Sequence, residues 1–415
     1  MLPTPADNGT RLAALLPNAL GALVAARGGD VSAMLHEATG MGGAGDDNLA
    51  SVQRLLPPVR SVVAIVVDGL GHANLKAASG HARTLSSMQS KRIETVIPST
   101  TGAALTSITT GRLPGEHGLV GYKIRHPQLG LRSTLKGWDG IEDPRRWQSA
   151  QPLFELATRS EIQAAAIGRP AHARGGLTEA ILRGAEYFGG QTIDDRFSIA
   201  SRLLRTRESQ LIYLYIDELD KIAHAQGWQS VAWTKRLEHL DGAVQSFLAS
   251  LPGDVGVVVV ADHGVIDVPH EQRFVLDDGS VDLSRYSAIG GEPRMRSLYL
   301  ANPDDAAEAA LEMQRALGKS AWVGARSEAI EANWFGPIDD EVAHRLGDVI
   351  VAARGMNAFI LSADGPDAMA MVGQHGGLSD EERGVPLLLG GAFANSSFAS
   401  AVQSLAAARA QQVLS

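Results

Sequence analysis

Three acidic clusters in this chain each follow a short run of aliphatic residues. Asp68-Gly69 follows 62–67 (VVAIVV), Asp217-Glu218-Leu219-Asp220 with His224 follows 211–216 (LIYLYI), and Asp262-His263-Gly264 follows 255–260 (VGVVVV) through Ala261. Asp220 and His224 are four apart, the spacing that puts two side chains on one helix face, where they can grip one ion. Pro98-Ser99-Thr100-Thr101-Gly102 adds hydroxyls at the expected start of a helix, where free N–H groups and the dipole favour phosphate. A threonine hydroxyl there is a candidate nucleophile, but it is protonated at neutral pH and needs a base or a metal ion to attack phosphorus. Gly373-Gln374-His375-Gly376-Gly377 supplies a further imidazole among glycines that let a ligand approach the backbone. Joined, these groups would do metal-assisted chemistry on phosphate esters. Singly, each has a plainer explanation: a turn, an exposed helical pair, an N-cap, a glycine loop. Their shared placement just past strands is what favours a site.

The elements that must position them are read from periodicity. Runs at 62–67, 93–97, 164–167, 211–216, 255–260 and 386–389 read as buried parallel strands. Between them lie helical stretches such as 230–251, with Val231, Leu237, Leu240, Val244, Phe247 and Leu251 at helical spacing. The alternation predicts an α/β fold, a doubly wound, mostly parallel sheet with helices on both faces, whose strand carboxyl ends line the ligand crevice. From 269 to 371 the pattern changes, with strand-like 297–300, 320–323 and 349–352 around a helical 304–317. The expected organisation is an N-terminal segment 1–56 packed on the core, an α/β core of 57–268 and 372–415, and an inserted α+β cap at 269–371. Cap residues Glu292, Arg294 and Trp334 are expected to border the pocket. Gly40, Gly42 and Gly45 match a dinucleotide fingerprint by spacing, but no strand-like run precedes them, so 40–47 reads as a flexible stretch. His72, His117 and His126 are read as non-ligands, and Asp217 and Glu218 as supporting or solvated groups.

The 415 residues are enough for two domains or one large domain with an insertion. With 37 basic and 46 acidic residues the net charge is −9, which signals no surface for a nucleic-acid duplex. The absence of cysteine excludes disulfides, thiolate metal sites and a thiol nucleophile, so any metal must be held by His, Asp, Glu or hydroxyl groups. The opening residues lack the basic region of a secretory signal, and no run of about 18 apolar residues occurs, so the expectation is a cytoplasmic protein without a membrane span.

Six segments stand in order: VVDGLG (66–71), PSTTGAALTSITTG (98–111), LPGEHGLVGY (113–122), LDKIAHAQG (219–227), ADHG (261–264) and HGG (375–377). Together they resemble the type I phosphodiesterase and nucleotide pyrophosphatase branch of the alkaline phosphatase superfamily, from about residue 60 to 390. The resemblance implies an alkaline phosphatase-like fold and two divalent ions, usually zinc, with manganese the alternative. Asp68, Thr101, Asp262 and His263 would hold one ion, and Asp220, His224 and His375 the other. Thr101 is the implied nucleophile because it stands ten residues before Gly111, the interval of the family. The implied reaction is hydrolysis of a phosphodiester or pyrophosphate bond in a small phosphate ester or nucleotide, through a phosphothreonine. The resemblance also sets Ala104 where other members have an asparagine that contacts the phosphoryl oxygen. The absence of an arginine beside the nucleophile leans towards diesters. A phosphomonoesterase on the same scaffold and a metal-stabilised binding protein without turnover are the alternatives; the sulfatase motif is lacking.

Overall fold

The computed structural model describes residues 2–39, 56–397 and 402. The glycine-rich 40–47, together with 398–401 and 403–415 of the expected core, lies outside the described residues. The chain is an α/β protein built on a seven-stranded sheet ordered Gln89–Glu94, Gly384–Gly391, Val255–Val260, Ser61–Val67, Gln210–Ile216, Gln163–Gly168, Glu186–Gly189. Ser61–Val67 and Val255–Val260 are buried at every position, as strands covered on both faces must be. Helices flank the sheet, among them Leu15–Ala26 against Ser61–Val67 and Ile193–Leu203 against Gln163–Gly168 and Gln210–Ile216.

Three neighbouring strands carry the acidic clusters. Val66 lies opposite both Tyr215 and Val260, so these strands finish level, and Asp68, the 217–220 cluster and Asp262 emerge at one end of the sheet.

Two strand expectations need correction. The run at 386–389 is antiparallel to both of its neighbours, not parallel. A parallel strand needs a crossover of a dozen or so residues. Here only 378–383 separate the His375 loop, already at the carboxyl end of the sheet, from Gly384, so the strand runs away from that end. The run at 93–97 is strand only to Glu94; Thr95 instead donates its N–H to Arg383 O (2.8 Å). The half-exposed edge strand Glu186–Gly189 has too few apolar residues to announce itself. In the helix Val231–Ala249, capped by Ser230, the expected apolar positions Leu237, Leu240, Val244 and Phe247 are buried, whereas Val231 is 71% exposed.

A second, antiparallel sheet is ordered Tyr286–Glu292, Met295–Leu300, Val349–Ala353, Ala321–Ala325. The helix Ala306–Leu317 packs on it through Ala309, Ala310 and Met313. The tight connection between its first two strands presents Arg294, fully buried, to Glu382, equally buried, through two bonds of 2.9 and 2.6 Å. Arg294→Ala strands that carboxylate and is expected to cost about 3–5 kcal/mol of unfolding free energy, read by urea denaturation. A loss below about 1 kcal/mol, the scale of a surface pair, contradicts it. No helix among the described residues is long and apolar enough to cross a membrane.

Candidate functional site

Past Ser61–Val67 the strand pairing extends one step, Asp68 N–H donating to Ile216 O (2.8 Å). The chain then turns at Gly69, with φ of +72°, where a Cβ would fall 2.9 Å from that of Asp220. Only glycine tolerates both demands, and it lets Gly69 N–H reach Asp262 Oδ1 (3.2 Å). The helix Glu218–Gln226 carries Asp220 and His224 on one face. His224 Nδ1 meets Gly373 O (2.8 Å), which turns Nε2 to Asp220 Oδ2 at 3.0 Å. His263 Nε2 lies 3.3 Å from Asp68 Oδ1 and 3.4 Å from Asp262 Oδ2. His375 Nδ1 meets Ser99 O (3.0 Å), and its ring stacks on His263 with centroids 3.6 Å apart.

Thr101 opens the helix Thr101–Thr110, and its Oγ1 is 3.1 Å from His263 Nε2. Its neighbours' hydroxyls are used elsewhere: Ser99 Oγ donates to Gly377 O and accepts from Gly376 N–H, and Thr100 Oγ1 donates to Glu292. All seven side chains singled out from the sequence therefore meet at one place. Asp220, His224 and His375 bring ligand atoms within 4.8 Å of one another, as do Asp68, Asp220 and His263. Asp220 belongs to both groups and stands at their junction.

Asp68 Oδ1, Asp220 Oδ1 and Asp262 Oδ2 are buried without a hydrogen-bond partner. Unpartnered buried carboxylate oxygens cost free energy unless a cation pairs them. Burial, reinforced by Asp262 and Asp220, pushes the Asp68 carboxyl well above its ordinary range. Burial and Asp220 push Asp262 up to about 7. Burial holds His263 down to about 4 and His375 down to about 3, neutral and with lone pairs to offer. Against the opposing effect of burial, Asp220 lifts His224 to about 9. The donor set, three carboxylates, three imidazoles and a hydroxyl, fits divalent cations.

A pH dependence follows. A cation entering the cage must displace the proton that His224 holds below about pH 9 and the one that Asp262 holds below about pH 7, so affinity for a divalent cation such as zinc is expected to weaken as pH falls, by about tenfold per unit for each proton released. Competition titrations at pH 8 and pH 6 measure this; a pH-independent affinity contradicts it.

A cavity of about 850 Å³ opens over the cage. Tyr122, Trp138, Tyr187, Tyr213 and Tyr215 give it an aromatic wall that the sequence reading missed. The alternation of Tyr213 and Tyr215 in one strand was the available signal, since period two puts both on one face. The Tyr215 hydroxyl donates to Asp68 Oδ2.

Other expectations are sorted by position. His117 is buried against Ser107 Oγ (3.0 Å), and neither His72 nor His126 joins the cage. Asp217 and Glu218 are not solvated: both are buried, paired with Arg169, and with Lys221 and Arg196 respectively. Ala104 is fully buried and does not line the cavity, where Thr100, Thr101 and Leu105 stand. Of the three residues expected to border the pocket from 269–371, Glu292 lines the cavity; Arg294 is engaged with Glu382, and Trp334 is buried with its indole N–H on Pro3 O (2.8 Å).

The type I phosphodiesterase / nucleotide pyrophosphatase family matches residues 62–378. Ectonucleotide pyrophosphatase/phosphodiesterase family member 3 of Rattus norvegicus is 23% identical over 220 residues, 51% of this chain and 25% of that protein. Member 1 of Rattus norvegicus is 24% identical over 211 residues, 48% of this chain and 23% of that protein. The chain thus spans about a quarter of the length of the curated relatives it matches. Among solved structures, human ectonucleotide pyrophosphatase/phosphodiesterase 5 aligns with a TM-score of 0.62 at 15% identity, over 79% of this chain and 87% of that one. An inactive form of the murine protein in complex with AMP aligns at 0.61 and 16%, over 80% and 88%. Phosphonoacetate hydrolase from Sinorhizobium meliloti, with phosphonoformate, aligns at 0.62 and 19%, over 86% and 98%. These structural likenesses establish a common fold. With the family match running from the first core strand to the glycines after His375, the chain belongs to the type I phosphodiesterase/nucleotide pyrophosphatase family.

Proposed function

We propose that this protein is a two-metal-ion hydrolase of phosphodiester or pyrophosphate bonds, nucleotides among its substrates, with Thr101 as nucleophile. The observation that carries the reading is the convergence of three unpartnered buried carboxylate oxygens and three imidazoles about the Thr101 hydroxyl. Asp68, Thr101, Asp262 and His263 would hold one cation and Asp220, His224 and His375 the other. When bound, such ions, zinc by the mixed nitrogen and oxygen donors with manganese the alternative, neutralise developing charge and lower the pKa of a bound hydroxyl.

The protein's own residues do the rest. The helix starting at Thr101 offers N–H groups without intrahelical partners to phosphoryl oxygens. Thr101 Oγ1 loses its proton and forms a bond to phosphorus as the bond to the leaving oxygen breaks, and the leaving oxygen takes up a proton, which releases an alcohol or a phosphate. Water then attacks the phosphothreonine, which still carries the other ester group, restoring the hydroxyl and releasing a phosphomonoester; two inversions give net retention. Tyr215 holds Asp68 through its hydroxyl, and the aromatic wall takes the organic part of the ester. The segment 269–371 serves as a cap, lending Glu292, Pro293, Asp364 and Met371 to the cavity.

The test is metal analysis of the purified protein, with rates on bis(p-nitrophenyl) phosphate, p-nitrophenyl phosphate and nucleotides before and after chelation. Diester hydrolysis that vanishes on chelation and returns with zinc or manganese supports the reading. Indifference to chelation, or no hydrolysis of any phosphate ester by metal-loaded protein, rejects it.

A further inference from the structure

The cavity wall carries charges that the cage does not use. Lys123 is paired with Asp364 and Lys221 with Asp217. Lys136 and Arg174 line the same cavity, and neither makes an ion pair or a side-chain hydrogen bond among the described residues. Asp139 and Asp367, also on the wall, form no ion pair there either, so both cations are left unclaimed.

The fold brings the two cations to one stretch of wall beside the proposed nucleophile. Lys136 lies in the turn 134–138, which the Trp138 indole N–H closes by donating to Thr134 O (2.7 Å). That turn is seated on the start of the helix Thr101–Thr110, since a Cβ on Gly102 would fall 2.5 Å from Thr134 Oγ1. Arg174 stands two residues before Gly176, where a Cβ would fall 2.1 Å from Trp138 Cγ, so its loop is pressed onto the same turn. Trp138 is buried, whereas Lys136 and Arg174 are exposed, which sets the pair at the mouth of the cavity. Unclaimed cations at a cavity mouth attract anions, and a guanidinium presents a planar fork that matches a carboxylate or a phosphate. With the scissile phosphate at Thr101, an anion at the mouth must belong to a more distant part of the substrate.

We propose that Lys136 and Arg174 form a subsite for a second anionic group, a carboxylate or a further phosphate, which the substrate carries beyond the phosphorus that Thr101 attacks. The inference rests on the phosphodiesterase reading above and names a substrate class for that site. It is tested on metal-loaded protein at pH 8 and low salt with p-nitrophenyl alkyl phosphates whose alkyl chains, of graded length, end in methyl, carboxylate or phosphate. The quantity read is the ratio of kcat/KM for an anion-ended ester to that for the methyl-ended ester of the same length. In the wild type the best ratio is expected to be about tenfold or more, and to shrink as salt screens the exposed charges. Either anionic arm supports the subsite, and the larger ratio names its ligand. Lys136→Ala and Arg174→Ala are each expected to lower the ratio about threefold, the double variant to bring it near one, and Arg174→Glu to turn it against the anion-ended esters. Lys136→Arg is expected to stay within about threefold of the wild type. Wild-type protein that hydrolyses none of the series overturns the phosphodiesterase reading and this inference with it. Hydrolysis of the whole series at ratios near one, or at ratios that the double variant leaves unmoved, overturns the inference alone.

Discussion

Thr101→Ala is expected to lower kcat on a diester by about 10⁴-fold, the scale of losing a covalent nucleophile, while the protein still binds its ions. Three consecutive hydroxyls compete for this role, and their partners decide between them. Ser99 spans Gly376 and Gly377, and Thr100 donates to Glu292. Thr101 Oγ1 alone of the three meets His263 Nε2, on the face where Asp68 and Asp262 also arrive. Thr101→Ser keeps the oxygen but gains χ1 freedom, and should retain activity within about 100-fold. Steady-state rates beside metal content separate loss of chemistry from loss of the cage. Thr101→Ala within tenfold of the wild type would mean that another group attacks.

Asp220→Asn is expected to have the second large effect, abolishing high-affinity binding of the ion it would hold with His224 and His375, weakening the other through its neighbours Asp68 and His263, and lowering activity about 10³-fold. His224→Ala, confined to one group, is expected to spare the other ion. The difference comes from placement, since Asp220 has one oxygen 3.0 Å from His224 Nε2 and belongs also with Asp68 and His263. The charge of Asp220 also raises Asp68 and Asp262, so its loss relieves repulsion in the metal-free protein. Zinc at 1,000 times its Kd should stabilise the wild type by about 4 kcal/mol per site and Asp220→Asn by clearly less in a thermal melt. Equal zinc-induced shifts in Tm for the two proteins would contradict the part of Asp220 in holding an ion.

What could be read along the chain is what strand endings and helical spacing encode. A buried parallel strand is a continuous aliphatic run, and the polar residues just past it stand at the crevice, which makes Asp68, the 217–220 cluster and Asp262 legible in the sequence. His375 was legible because glycines surround it. Properties set by distant partners were not. The direction of Gly384–Gly391 follows from where the His375 loop leaves the chain, at the carboxyl end of the sheet, not from its own residues. Asp217 and Glu218 look solvated in a charged stretch and are buried only because Arg169 and Arg196 come from other strands and helices. Trp334 looks like a pocket residue until Pro3 takes its indole, and Ala104 faces the core because a helix rotates each residue 100° from the last. The aromatic wall draws on Tyr122, Trp138, Tyr187 and Tyr213, brought together only by the fold.

The central claim is that two cations sit in a single cage with the Thr101 oxygen at its edge. Anomalous diffraction at the zinc edge from zinc-loaded crystals tests it most directly. The expected result is two peaks, one bounded by Asp68, Thr101, Asp262 and His263 and the other by Asp220, His224 and His375. A single peak, or peaks away from Thr101, would contradict it.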